Sequence, residues 1–215
     1  MSPSTMPQSS TPVVGFDVDT TSSTTDVLLS RLESHPDHGA LAKFSDGEWV
    51  EVTTADFVAQ VSAAAKELIA SGVGFEDKVA IFGPTSFDWT LSDYAVWFAG
   101  AISVPFYDTS SQDQLAWMLE NAEVTSGLVA TREHAERVRD AAAIAGLPAP
   151  RLWIWDEGAF LDLAAAGESV SDADLEARRD IAGEEQIVDF EATAEREQNH
   201  QPPDIAGRRQ RLEPS

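Results

Sequence analysis

Strand-like and helix-like segments alternate without a break from Lys78 to Trp155, and the spacers between strands are long enough for a helix but too long for a hairpin. Lys78-Val79-Ala80-Ile81-Phe82-Gly83 is the short apolar run that a strand buried on both faces requires. Ser86 to Ala99 reads as a helix with an aromatic surface made by Trp89, Tyr94, Trp97 and Phe98. Ile102 to Tyr107 is a second strand. Strand, helix and strand within about thirty residues form a crossover unit, whose two strands must pair in parallel. The pattern then repeats. Ser111 and Gln114 make a capping box ahead of Leu115, Met118, Leu119 and Ala122, and Gly127 to Ala130 reads as a third strand. Thr131 caps a helix carrying Ala135, Val138, Ala142 and Ala145, closed by Gly146 and Pro148. Arg151 to Trp155 is a fourth strand. The predicted class is α/β, a partial, open and mostly parallel sheet with helices on its faces.

The flanks are simpler. Residues 1–26 are rich in Ser, Thr and Pro and predict a disordered arm. Asp26 is expected to cap a short helix containing Leu28, Leu29 and Leu32. Ala40–Phe44 and Trp49–Thr53 enclose Ser45-Asp46-Gly47-Glu48, a β-hairpin signal. Thr54 is expected to cap a helix whose Phe57, Val58, Val61, Ala65, Leu68 and Ile69 share one face, with Gly72 as its stop. One unit over 27–162 follows. Beyond it, 163–215 has a single aromatic residue, Phe190, and no sustained apolar period. Such an acidic, low-complexity tail buries too little apolar area to offset its ordering entropy. Ser171 to Arg179 alone suggests a short capped helix within it.

Charge and composition narrow the function. The net charge of −23, from 37 acidic and 14 basic residues, argues against a nucleic-acid groove or an anionic membrane surface. With no cysteine, disulfides, thiolate nucleophiles and Cys-ligated zinc are excluded. The longest apolar stretch, Tyr94–Tyr107, has 14 residues, short of the roughly 20 of a transmembrane span. The first residues show neither the positive charge nor the apolar block of a secretory signal. A cytoplasmic protein fits.

Local motifs for chemistry fail one by one. His35 and His38 flank Pro36, which bars a helical ligand pair and leaves a polar turn. His134 falls in the first turn of its helix beside Arg132 and Glu133 and is expected to face water; His200 lies in the tail. No Gly-x-Ser-x-Gly elbow exists. Asp88 and Asp93, five apart, belong on different helix faces. Gly72-Val73-Gly74 precedes a strand rather than following one, so it is no dinucleotide fingerprint. Gly83-Pro84-Thr85-Ser86 connects strand to helix but has one glycine and no lysine, and reads as a loop capped by Ser86. Thr109-Ser110-Ser111 leads into a capping box. The predicted catalytic, cofactor-binding and metal residues are none.

Taken together, the order of these segments is informative. Trp49-Val50-Glu51-Val52-Thr53, the Phe57 helix, Leu68 to Val73, Asp77-Lys78-Val79-Ala80-Ile81, Phe87-Asp88-Trp89, Ala99 to Pro105 and Tyr107 to Ser111 resemble, in sequence order, the amino-terminal part of AMP-forming acyl-CoA synthetases. The nearest likeness is to long-chain fatty-acid–CoA ligases, over about Val27 to Asp162. The resemblance implies ATP- and Mg²⁺-dependent activation of a fatty acid to an acyl-adenylate, from which CoA displaces AMP. It implies a Tyr-Thr-Ser-Gly-Thr-Thr-Gly-x-Pro-Lys-Gly-type loop for the phosphates and a late lysine for the carboxylate. Lys43, Lys66 and Lys78 are the only lysines, and after Ile181-Ala182-Gly183-Glu184 the chain runs into Gln186-Ile187-Val188-Asp189-Phe190-Glu191 instead of that loop. No catalytic or nucleotide-binding position carries over. What matches is scaffold: caps, core aromatics, and the Gly100 and Pro105 crossover positions.

Three readings follow: a ligase-family fragment inactive by itself that binds no cofactor alone, one chain of a split ligase awaiting a complementing C-terminal chain, or a non-catalytic module pairing with a full-length relative. A frameshift or stop, or a split gene, would account for the boundary.

Overall fold

A computed structural model describes residues 22–45, 47–159 and 169–179. The first helix, α1 (Thr24–Ser34), starts two residues before Asp26. Ser23, not Asp26, is its cap: the Ser23 hydroxyl accepts from Asp26 N while the Asp26 carboxylate accepts from Ser23 N at 2.8 Å. Asp26 thus takes the third-position role of a capping box. Strands β1 (Gly39–Ser45) and β2 (Glu48–Thr53) form the expected antiparallel hairpin. Asp46, half of its turn signal, lies outside the described residues. Helix α2 (Thr54–Ala70) is capped by Thr53 rather than Thr54. The buried Thr54 hydroxyl instead bonds His38 O and receives Arg31 Nε, which ties α2 to α1 and to the His35–His38 turn.

The main sheet contains β3 (Lys78–Phe82), β4 (Ile102–Phe106), β5 (Ser126–Val129) and β6 (Arg151–Ile154), all parallel, in the order β4-β3-β5-β6. Their side chains alternate between two cores. Val79 and Leu128 face α2 and α3 (Phe87–Phe98), in a core with Phe57, Val61, Leu68 and Phe98. Ala80, Phe82 and Val129 face α4 (Gln112–Asn121) and α5 (Arg132–Ala145), among Phe106, Leu115, Leu119 and Val138. The caps predicted at Ser86, Ser111 and Thr131 are present. Trp155, read as a strand residue, opens a single 3₁₀ turn (Trp155–Glu157).

The short capped helix suggested over Ser171–Arg179 forms as α6, residues 172–179, capped by Ser171 accepting from Asp174 N. It lies against the core through buried Val170 and Leu175, and Lys66 reaches Asp172 at 2.6 Å. Arg178 donates to the carbonyls of Val73 and Ala99, beyond α2 and at the end of α3. Gly100, at φ 70°, makes room for this contact: a Cβ there would stand 3.1 Å from Arg178 O and from the Phe75 ring. His200 and the Gln186–Glu191 segment lie outside the described residues.

Candidate functional site

In open parallel sheets the natural ligand crevice lies at the carboxyl ends of the strands, where successive connections leave on opposite faces. Here that point is between β3, which feeds α3 on one face, and β5, which feeds α5 on the other. The crevice is filled. A Cβ on Gly83, just past β3, would come within 2.6 Å of Ala130 Cβ and 2.7 Å of the Trp155 ring. Trp155 is held there by donating Nε1 to Ser92 Oγ at 3.1 Å, while Ser92 itself donates to Asp88 O. Only glycine lets the ring lie against this backbone, so the indole occupies the space just past β3.

Beside it, the loop after β4 is clamped to the first turn of α5. His134 is largely buried, against the expectation that it faces water. Its Nδ1 shares a 2.7 Å hydrogen bond with the Thr131 hydroxyl, its Nε2 meets Asp108 Oδ1 at 2.9 Å, and its ring stands edge-on to Phe82. Arg137 stacks on Phe82 and donates to the carbonyls of Asp108 and Ser110. Gln112 completes the clamp by donating to Arg137 O. Hydroxyl, imidazole and carboxylate are aligned as in a nucleophilic relay, but Thr131 Oγ also accepts from His134 N as the helix cap. Its role is structural: it fixes the loop. Sequence order hid this cluster, because β3 lies between β4 and β5 and only that arrangement brings Asp108 to His134 across Phe82.

The other predicted positions are separate. His35 and His38 sit in a turn with rings 4.9 Å apart, and no group of three potential metal ligands occurs among the described residues. Gly74 N donates to Asp77 in an ordinary turn. Ser86 caps α3 next to a cleft of about 420 Å³ lined by Leu41, Phe44, Trp49, Phe87 and Asp88. Within it Lys43 pairs with Asp88 and lies over the Phe87 ring.

Asp93 lies away from the Lys43 cleft that holds Asp88, in keeping with the different helix faces their spacing predicts. It hydrogen-bonds Ser103 on β4, and the Ser103 hydroxyl accepts from Trp97 Nε1 at 3.2 Å. Asp93 Oδ1 is buried with no hydrogen-bond partner among the described residues, as are Glu67 Oε2 and Ser126 Oγ. Burial raises the Asp93 pKa above the usual carboxylate value, with the Ser103 bond opposing it. Neighbouring Tyr94 is pushed up by its own burial and then by Asp93.

This architecture is that of an adenylate-forming scaffold, a partial parallel sheet bearing helices on both faces. The chain belongs to the AMP-binding enzyme family, whose model matches residues 28–206 and so runs on past Asp162. The long-chain-fatty-acid–CoA ligase FadD15 of Mycobacterium tuberculosis is 38% identical over 147 residues, covering 66% of this chain and 24% of that protein. The long-chain-fatty-acid–CoA ligase ACSBG2 of Gallus gallus is 26% identical over 166 residues, 70% of this chain and 21% of its own. Among solved structures, a long-chain-fatty-acid-CoA ligase (FadD1) from Archaeoglobus fulgidus shares the fold at a TM-score of 0.56 and 19% identity, covering 68% of this chain and 29% of that one. The chain therefore spans about a quarter of the length of the curated relatives it matches.

Proposed function

We propose that this chain is the N-terminal scaffold of a long-chain fatty-acid–CoA ligase and forms no acyl-adenylate by itself. Adenylation needs several cations or amides free to take up charge developing on pyrophosphate. The observation that carries the reading is the closed carboxyl end of the sheet. Trp155 packs against Gly83 at the switch point, and several cations of this half of the molecule are engaged: Lys43 with Asp88, Arg132 with Glu157, and Arg137 with two backbone carbonyls. Lys66 is held by Asp172, and Lys78 begins β3 at the opposite end of the strand. On this reading no catalytic, nucleotide-binding or metal-binding position falls among the described residues, and ATP, Mg²⁺ and CoA belong to the assembled ligase.

A cytoplasmic role in fatty-acid metabolism goes with this reading; no described helix is long and apolar enough to cross a membrane. The test is ATP–pyrophosphate exchange by the purified chain with fatty acids of several lengths. No turnover above a no-enzyme blank is expected. Adding the part of FadD15 outside the matched region is expected to produce acyl-CoA. Exchange by the chain alone overturns the reading.

A further inference from the structure

In this sheet the face on which a helix lies fixes the direction in which the chain moves next. β3 leads through α3, on the face of Phe57, Val61 and Leu68, and the chain moves one place outward to β4. β5 leads through α5, on the opposite face, and the chain moves the other way to β6. The two crossovers therefore share one hand, the right-handed one that parallel connections almost always take. α6 follows β6 but lies with α2 and α3, since Leu175 belongs to their core. A crossover of the same hand with its helix on that face runs from β6 back toward β4. β5 and β3 are already paired on both sides, so the first position such a crossover can reach is the outer edge of β4.

The exit of α6 selects the same edge independently. Arg178 O stands 3.1 Å from where a Gly100 Cβ would be, and Arg178 donates to Ala99 O. Gly100 comes two residues before Ile102, the first residue of β4. The chain thus leaves α6 at the amino end of β4, and a strand that starts there runs parallel to it. Ile102 N donates to Asp77 O, so by the alternation of a parallel ladder Ile102, Val104 and Phe106 bond inward, while Ser103 turns its N–H and C=O outward. Pro105 turns out only a carbonyl, which a strand near the edge of a sheet tolerates. The Ile102 side chain is 39% exposed beside this edge.

We propose that Gln186-Ile187-Val188-Asp189-Phe190 adds to the outer edge of β4 as a fifth parallel strand, its carbonyls accepting from Ser103 N and its N–H groups donating to Ser103 O and Pro105 O. Within 180–215 this run alone places three strand-favouring apolar residues in four positions. Residues 180–185 separate it from α6, a reach of about 20 Å at full extension, which suffices to turn from a helix end onto the adjoining edge. The family model runs through it, to residue 206. The added strand covers Ile102 and delivers Glu191 and the residues after it to the carboxyl end of the sheet, beside the loop that His134 and Arg137 hold. The inference stands on topology and does not depend on the scaffold reading above.

The experiment measures backbone amide exchange by NMR in the full chain and in the double variant Ile187→Pro/Val188→Pro. Successive N–H groups of a strand point to opposite sides, so one of these two faces β4, and the double substitution removes it whichever it is. In wild type the Ser103 amide is expected to exchange at least tenfold more slowly than an unprotected amide. The variant is expected to lose that protection while Val104, bonded inward to β3, keeps its own. Free exchange at Ser103 in wild type overturns the proposal. Protection at Ser103 that survives in the double variant overturns it as well, because the edge then has another occupant.

Discussion

Two rims of the same sheet are finished to different degrees. At the carboxyl end, between β3, β4 and β5, the ring nitrogens of His134, the indole N–H of Trp155, the guanidinium of Arg137 and the hydroxyl of Ser92 all have partners inside the chain. Along the β4 edge, one oxygen of Asp93 is buried with no donor among the described residues, on the same helix as the half-buried Trp89 and Trp97. A satisfied polar network makes a fixed structure, whereas a buried unmet acceptor costs free energy that folding alone gives no reason to retain. The end of the sheet where ligands bind in related architectures is thus built here as packing, and the unmet chemistry has moved to the flank.

The largest expected effect breaks the finished rim directly. Gly83→Val adds atoms where even a Cβ meets Ala130 and Trp155 at under 3 Å. Overpacking of this kind is expected to cost about 3 kcal/mol, read as a lower midpoint in urea at unchanged slope. Were the variant as stable as wild type, the switch-point crevice would be open rather than filled. His134→Ala comes next. It removes two side-chain hydrogen bonds and an edge-on ring contact, with an expected loss of about 2 kcal/mol. Faster amide exchange confined to the loop after β4 would show that the clamp acts locally.

How much of this was legible follows from the range of the signals. Alternating apolar runs and helix periods give the sheet and its parallel pairing, and caps such as Ser86, Ser111 and Thr131 are read within four residues of where they act. The cap errors at Asp26 (three residues late) and Thr54 (one residue late) arise because Ser, Thr and Asp are all competent caps and lie close together here. His134 misled for another reason. A polar residue in a first helical turn is normally wet, and nothing local says that a strand inserted between β4 and β5 brings Asp108 against it. The same blindness covers Asp93, whose hydrogen-bond partner Ser103 lies across a crossover. The tail was harder to judge by composition. Residues 169–179 sit in an acidic, aromatic-poor stretch, yet α6 docks because Leu175 and Arg178 find an apolar groove and two free carbonyls.

That docking supplies a smaller test. Arg178→Ala removes two long hydrogen bonds, at 3.3 and 3.5 Å, from the ends of two helical segments, and is expected to cost about 1 kcal/mol. Limited proteolysis should then cut within 169–179 before it cuts α2 or α3. Equal resistance in the variant and wild type would mean that Val170 and Leu175 hold α6 without the arginine.

The smallest effect has the opposite sign and sharpens the contrast most. Burial raises the Asp93 pKa in the folded chain above the ordinary carboxylate value of 3.8, so the native state holds that proton more tightly than the unfolded state does. Stability must then fall as pH rises from about 3.8 through the folded pKa, and the full penalty remains at neutral pH. Asp93→Asn removes the charge, and its amide oxygen can still accept from the Ser103 hydroxyl. Because the group is about half exposed, screening keeps the gain at neutral pH below about 1 kcal/mol. The gain should shrink steadily as the pH is lowered and vanish once both states of the wild-type carboxyl are protonated. A variant less stable than wild type at pH 7, or a gain independent of pH, would mean that Asp93 is satisfied within the chain. The β4 flank would then be as complete as the carboxyl end.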